Sequence, residues 1–386
     1  MQRQNELFDL ALDELLDSDP YGCKPSAMRA RYADFLQQRG EELLSQMVRL
    51  EGRLLELSKE DPLRPELERR REQVWAERQQ QLAAVSGGSL SPEQFQWRWS
   101  LLEVAEVPVE DCPEAAELTL KTTPVEGLML TLPQGQTTRS DELVRLLRCD
   151  SLHRLLYLEM PAISNHEGVA YTLASQPSLQ QLRGLDCSGK VWWADAPRVL
   201  ASSANFPNLR LLKLVEVCFT DEAASILAES EHFGHLRVLD LSWNAGYLTN
   251  RGIERFARSR ALPRLRELFL LVSGDEGREE GNARHLQDLR GFAGLQLLSL
   301  ACREVKDQGA AYLAESPHLK DLRELDLGYT GIQDAGAAAL AASPYLRGLQ
   351  RLWLEDNELS DESWAQLKES PLGHAVSRFG GADYRW

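Results

Sequence analysis

A chain of 386 residues that is 43% hydrophobic and 26% charged can bury a large core and has globular rather than disordered composition. Its formal net charge of −16 repels phosphate backbones and argues against a general nucleic-acid role; the one short basic run, Arg69–Arg70–Arg71, sits among glutamates on a helical stretch. No apolar run reaches the roughly 18 residues that a spanning helix needs, so no membrane segment is expected. The opening "MQRQNELFDLALDELLDSDP" lacks a basic start followed by an apolar stretch, so no secretory signal is expected either. Cys23, Cys112, Cys149, Cys187, Cys218 and Cys302 are scattered with no CxxC spacing. That pattern suits reduced thiols, and the cytoplasm is the expected location.

The first elements are helical. "LFDLALDELL" (7–16) and "SAMRARYADFLQQRG" (26–40) read as amphipathic helices, the second ended by Gly40. In "EELLSQMVRLEGRLLELSKED" (41–61), Leu43, Leu44, Met47, Leu50 and Leu54 form one stripe. "PELERRREQVWAERQQQLAAV" (65–85) opens on Pro65, which suits a first helical turn. "SGGS" (86–89) marks a boundary. The expected division is a helical domain over 1–86, a linker and cap of one strand and one helix over 87–124, repeats over 125–371 and a C-terminal cap over 372–386.

The stretch "RYADFLQQRGEELLSQMVRLEGRLLELSKEDPLRPELERRREQV" (31–74) resembles the repeat-companion domain found ahead of repeats in large bacterial proteins of planctomycete and myxobacterial type. The matching residues are Tyr32, Ala33, Asp34, Phe35 and Leu36, then Gln38, Arg39 and Gly40, then Val48, Arg49, Leu50 and Glu51. Lys24 stands where those domains are usually acidic. The likeness continues through residues 101–132; it implies a bacterial origin and no activity.

From Val125 the chain repeats itself. A unit of the form LxxLxL, then a turn, then a helical stretch starts at Val125, Leu152, Leu182, Leu209, Leu236, Leu265, Leu295, Leu322 and Leu349. Such a period signifies a solenoid of strand plus helix. In "LRELDL", Leu322, Leu325 and Leu327 face the core, while Asp326 and Gly328 face outward. In "DAGAAALAAS" small side chains let the outer helix pack closely, with Asp334 placed to cap its first turn. No unit can bury its own apolar face, so the units stack into a parallel inner sheet with helices outside. The fold class expected is therefore α/β, a solenoid of about nine repeats preceded by a small helical domain.

The phrases "LRVLDLSWN" (236–244), "LRELDLGYT" (322–330) and "LQRLWLEDN" (349–357) resemble leucine-rich repeats of the long, ribonuclease-inhibitor-like kind. The turn asparagine of that family is Asn244 and Asn357 here, replaced elsewhere by Lys190, Val217, Ser273, Arg303 and Thr330. Cys187 takes the place of a core leucine. "PLGHAVSRFGGADYRW" breaks the pattern and offers Val376, Phe379, Tyr384 and Trp386 to close the last repeat.

Little points to chemistry. His232 and His235 form an HxxH with no further ligand beside it, and the acidic "SGDEGREEGNAR" (273–284) lacks the alternating oxygens of a calcium loop. No phosphate-binding or nucleophile motif occurs. The activating protein of the small GTPase Ran uses an exposed loop arginine; Arg303 follows a strand here, but no acidic tail accompanies it. The bacterial effector ubiquitin ligases carry a catalytic domain behind their repeats, and none is expected here. No enzyme activity, cofactor or metal is expected.

The concave face remains. From the fifth repeat on, its central column reads Asp240, Phe269, Ser299, Asp326 and Trp353. The next column reads Ser242, Leu271, Ala301, Gly328 and Glu355, and its neighbour Trp243, Val272, Cys302, Tyr329 and Asp356. Aromatic anchors inside an acidic rim suit a protein interface, so Asp240, Trp243, Phe269, Leu271, Asp326, Tyr329, Trp353, Glu355 and Asp356 are the expected partner-binding residues. They also fit contacts with the helical domain, a second copy, or one another. Trp192 and Trp193 form a second candidate, for binding or for helix packing. The expected function is a non-catalytic scaffold that holds another protein, one with a basic surface. The alternatives are a structural subunit using its convex helices and ends, and a regulator of a GTPase or other enzyme.

Overall fold

The computed structural model describes residues 8–12, 27–58, 60–86, 88–98, 101–109, 114–131, 140–160, 167–189, 195–271, 286–376 and 378–379. Trp192, Trp193, Lys190, the 273–284 stretch, Tyr384 and Trp386 lie outside these residues, as does the side chain of Phe379. The chain forms two compact units: Met1–Pro133 with Arg154–Tyr157 and Trp386, and Gln134–His153 with Leu158–Arg385.

Among the described residues of the first unit, a helical stretch over 8–12, with Phe8 edge-on to Tyr32 at 5.9 Å, and three longer helices precede a small sheet. Helix α1 (Ala27–Gln38) buries Tyr32, Ala33 and Leu36. It stops at Gly40, whose φ of 81° allows the Gly40 and Glu41 amides to bond back to Gln37 O and Leu36 O at 3.0 Å each. Helix α2 (Glu42–Glu56) buries Leu44, Met47 and Leu54 of the expected stripe together with Val48, while Leu43 and Leu50 are half-buried. Helix α3 (Arg64–Val85) carries Pro65 in its first turn and buries Val74, Arg78 and Leu82. The guanidinium of Arg78 would be costly to bury alone. It donates through Nε to Glu103 Oε1 at 2.6 Å and through Nη2 to Glu103 Oε2 at 3.1 Å, with Glu41 also at 3.1 Å.

Strand β1 (Phe95–Arg98) pairs antiparallel with β2 (Leu102–Pro108), and β2 pairs parallel with β3 (Gly127–Thr131) across helix α4 (Glu114–Thr122). Sequence reading expects an all-parallel sheet with one strand ahead of the repeats, so β1 is a correction. The connection from Arg98 to Leu102 is too short for a crossover, and only antiparallel pairing fits it. Gly127 is required by packing, since a Cβ there would meet Val104 Cγ2 at 2.6 Å. Trp75 of α3 and Trp97 of β1 lie 5.8 Å apart between ring centroids, fixing helix to sheet.

The second unit is one motif restated. After β4 (Tyr157–Glu159), strands β5 (Gly184–Asp186), β6 (Leu211–Lys213), β7 (Val238–Asp240), β8 (Glu267–Phe269), β9 (Leu297–Ser299), β10 (Glu324–Asp326) and β11 (Arg351–Trp353) form a parallel ladder in constant register, which β12 (Arg378–Phe379) extends. Every central leucine of the seven, from Leu185 to Leu352, is buried. The carbonyl preceding each strand takes two amides of the next repeat: Arg210 O accepts from Arg237 N at 2.7 Å and Val238 N at 2.9 Å, and Arg323 O from Gln350 N and Arg351 N.

The helices of this unit include, in chain order, α5 (Ser140–Leu147), α6 (Glu167–Ser175), α7 (Ala196–Ala201), α8 (Asp221–Glu229), α9 (Asn250–Arg258), α10 (Lys306–Glu315), α11 (Asp334–Ala342) and α12 (Asp361–Glu369). They bury Ala223, Ala224, Ala310, Ala314 and Ala337, as small side chains at close helix contacts should. Asp334, expected to cap its own helix, instead accepts from Ser360 N of the next repeat at 2.8 Å. The first turn of α11 is served from the repeat before it, by Asp307. The constant register sets each helix start beside the first turn of its neighbour, so the caps run between repeats. Ser203, Ser259 and Ser343 do the same at the other helix end, donating to the carbonyls of Ala174, Ala228 and Ala314 in the preceding repeat.

Candidate functional site at the turn edge of the sheet

Each three-residue strand must turn sharply to reach its helix, and the turn uses one left-handed residue. Glu216, Trp243, Cys302, Tyr329 and Asp356 occupy this position with φ of 58°, 61°, 61°, 56° and 54°. Left-handed backbone costs a non-glycine residue about 1–3 kcal/mol. It is held by the amide of the same residue, which bonds across to the next repeat: Trp243 N to Leu271 O at 2.6 Å, Cys302 N to Gly328 O at 2.8 Å, Tyr329 N to Glu355 O at 2.9 Å.

The residue after it locks the turn. Buried Asn244 accepts through Oδ1 from Val217 N at 3.0 Å and Phe219 N at 2.9 Å, and donates through Nδ2 to Leu214 O and Leu241 O. Asn357 repeats the arrangement with Thr330 N, Ile332 N, Leu327 O and Leu354 O. Where the asparagine is missing, other side chains substitute. Thr330 Oγ1 donates to Leu327 O at 2.7 Å. Arg303, read from sequence as a loop arginine, is 5% exposed and donates through Nε to Leu270 O at 2.5 Å. Its guanidinium is thus spent on the turn, and the GTPase-activator reading loses its residue.

Three aspartates terminate their strands in one way. Asp186, Asp240 and Asp326 accept through Oδ1 from the amide two residues on, at 3.0, 3.0 and 3.1 Å. Asp326 also takes Ser299 Oγ at 3.0 Å, and Lys213 Nζ stands 3.7 Å from Asp186. Burial pushes the Asp240 carboxyl up, against the pull of its bonds from Ser242 and of Lys213.

The nine expected partner-binding residues therefore divide. Phe269, Asp326 and Trp353 are each 4% exposed. Adjacent strands lie only about 4.8 Å apart, so central-column side chains are flanked closely on both sides. Leu271, Asp240 and Glu355 are partly exposed and Asp356 is exposed. The large side chains that reach solvent are Trp243 at 49% and Tyr329 at 61%. Asp356 pushes the pKa of the Tyr329 phenol up.

Sequence reading misses Tyr247, also 49% exposed, whose phenol pKa is pushed up by Cys218 of the preceding repeat. The available signal was the longer interval from Leu236 to Leu265, whose extra residues fall in the segment carrying Tyr247. Among the described residues no three His, Cys, Asp or Glu side chains gather as metal ligands, and no helix is long and apolar enough to cross a membrane. Cys187 is buried, which pushes its thiol up and keeps it inert.

A family model described as "Leucine Rich repeat" matches residues 235–257 and 318–341, each a stretch of strand, turn and helix. The fold is a leucine-rich-repeat-type solenoid. No curated protein matches the chain. Among solved structures, an internalin, inlF, from Listeria monocytogenes is 14% identical, with 79% of this chain and 89% of that one covered and a TM-score of 0.35. A protein from Bacteroides fragilis is 14% identical over 65% and 64%, with a TM-score of 0.33. The complex of Rad7 and Elc1 in yeast is 14% identical over 87% and 81%, with a TM-score of 0.37. In leucine-rich-repeat terms, Trp243 and Tyr329 are solvent-facing turn residues, and Phe269 and Trp353 belong to the strand layer.

Proposed function

We propose that the repeat unit is a non-catalytic interaction module that holds another protein along the strand face and its turn edge. The observation that carries this reading is the exposure of Trp243 and Tyr329 on strained, fully hydrogen-bonded turns. Large aromatic side chains are enriched at the centres of protein interfaces, and here the turn holds their backbone fixed. The partly exposed Asp240, Leu271 and Glu355 and the exposed Asp356 supply the rim, and Phe269, Asp326 and Trp353 form the floor behind it. We read α1–α3 as the repeat-companion domain of a bacterial, cytoplasmic protein.

The test is capture of partners from the native lysate by wild type and by a Trp243→Ala, Tyr329→Ala protein with unchanged circular dichroism. Loss of one specific partner in the variant supports the reading. Retention of every partner sinks it and directs attention to the helix face.

A further inference from the structure

The two exposed aromatic positions of the turn edge share a local composition. Tyr329 occupies the left-handed position after β10. The residue at the same position one repeat later is the exposed Asp356, and Tyr329 N bonds at 2.9 Å to the carbonyl of Glu355, which precedes it. Glu355 lies next to it, partly exposed. Trp243 occupies the equivalent position after β7, and one repeat earlier that position holds the exposed Glu216. Tyr247 stands four residues beyond Trp243 and is exposed as well. The backbone amides of Trp243 and Tyr329 are bonded into the next repeat, so both rings spring from fixed points and little ordering remains to be done on binding.

An aromatic ring beside a carboxylate attracts one class of group. A guanidinium or ammonium gains from the ring quadrupole and from the ion pair together. The formal net charge of −16 draws cationic partners toward the surface and disfavours a second copy of the same chain at an acidic rim. We infer that the turn edge is a two-point site for a basic, extended segment of a partner protein, with one Arg or Lys on Tyr329 and Asp356 and another on Trp243. This rests on the interaction reading above and gives its partner a chemistry. β7 and β10 are three strand steps apart through β8 and β9. At the usual spacing that is roughly 14 Å, which an extended chain covers in about four residues.

The probes are fluorescein-labelled Gly/Ser peptides carrying two arginines two, four or eight residues apart, and counterparts with citrulline in place of arginine. Anisotropy at low ionic strength is expected to show tightest binding at a separation of four and none for citrulline. Tyr329→Ala and Asp356→Asn are each expected to weaken binding about three- to tenfold. Asp361→Asn, on the exposed first turn of α12, leaves it unchanged. Equal binding of the citrulline peptide, or binding indifferent to Tyr329→Ala and Asp356→Asn, overturns the inference. Self-association in ultracentrifugation that these variants abolish overturns it in favour of a second copy. If no peptide binds while a lysate partner still depends on Trp243 and Tyr329, the basic-segment inference falls and the interaction reading stands.

Discussion

Asp307 accepts the backbone amide of Gly336 at 2.8 Å, although the two residues belong to different repeats. The same carboxylate takes Gln333 N at 2.7 Å, so α10 caps α11. Asp221 serves α9 in the same manner through Thr249 N and Gly252 N, at 2.8 and 3.0 Å. A cap placed this way joins two repeats as well as ending a helix. In a solenoid, stability is the sum of repeat terms and neighbour terms, and these aspartates contribute to the neighbour term.

Asp307→Ala is accordingly expected to cost about 1–2 kcal/mol in urea unfolding and to broaden the transition as coupling between repeats weakens. Asp307→Asn, which keeps an acceptor oxygen, should cost less than half as much. Equal losses for the two would place the effect in charge rather than capping.

Asn244 is the tightest single node of the turn edge. Asn244→Ala strands the amides of Val217 and Phe219 in a buried place, and each unsatisfied buried group costs about 1–3 kcal/mol. The expected loss is about 3 kcal/mol, together with faster hydrogen exchange at those two amides. Unchanged exchange there would show that water replaces the side chain.

Tyr329 is expected to trade stability for binding. Glycine adopts φ near 56° without strain, so Tyr329→Gly should relieve the left-handed cost. Part of that gain is lost to the greater freedom of the unfolded chain. The net expected change is zero to about 1 kcal/mol of stabilisation, with loss of partner capture. A clear destabilisation would mean that the exposed ring packs usefully on its own fold.

The first unit should depend on pH through Glu126. Its carboxyl is pushed up to about 7, chiefly by burial and also by Glu103, against Arg154 and Arg39, which favour the charged form. A folded-state pKa above the unfolded value means that the folded form holds the proton more tightly. The associated stability is fully present below about pH 4.5 and is lost as pH rises to 7. The loss is on the order of 2 kcal/mol once partial solvent access is allowed for. Glu126→Gln should remove this slope and raise stability at pH 8. A variant that keeps the slope would assign it to another group.

Much of the candidate site was legible as positions and less of it as surfaces. The columns containing Trp243, Tyr329 and Asp356 follow from counting along the repeats, and the same count names Phe269 and Trp353. Counting does not distinguish a side chain on a turn from one flanked by strands on both sides. That difference left Tyr329 61% exposed and Trp353 4% exposed. Nor does it show that Arg303 does an asparagine's work, because a long side chain reaches carbonyls that its position in sequence does not suggest.

The sequence by itself determined the solenoid, the alternation of strand and helix within its repeats and its core leucines, because the spacing of apolar residues fixes which face each unit must bury. Tertiary structure alone decided where the caps act, as with Asp334 bonding to Ser360. It also decided that β1 runs antiparallel to β2 and that the exposed aromatics sit at left-handed turns. The physical reason is common to all three. Hydrogen bonds and exposure depend on what the neighbouring repeat or strand places within reach, and a one-dimensional pattern records the period of a repeat but not its contacts with the next.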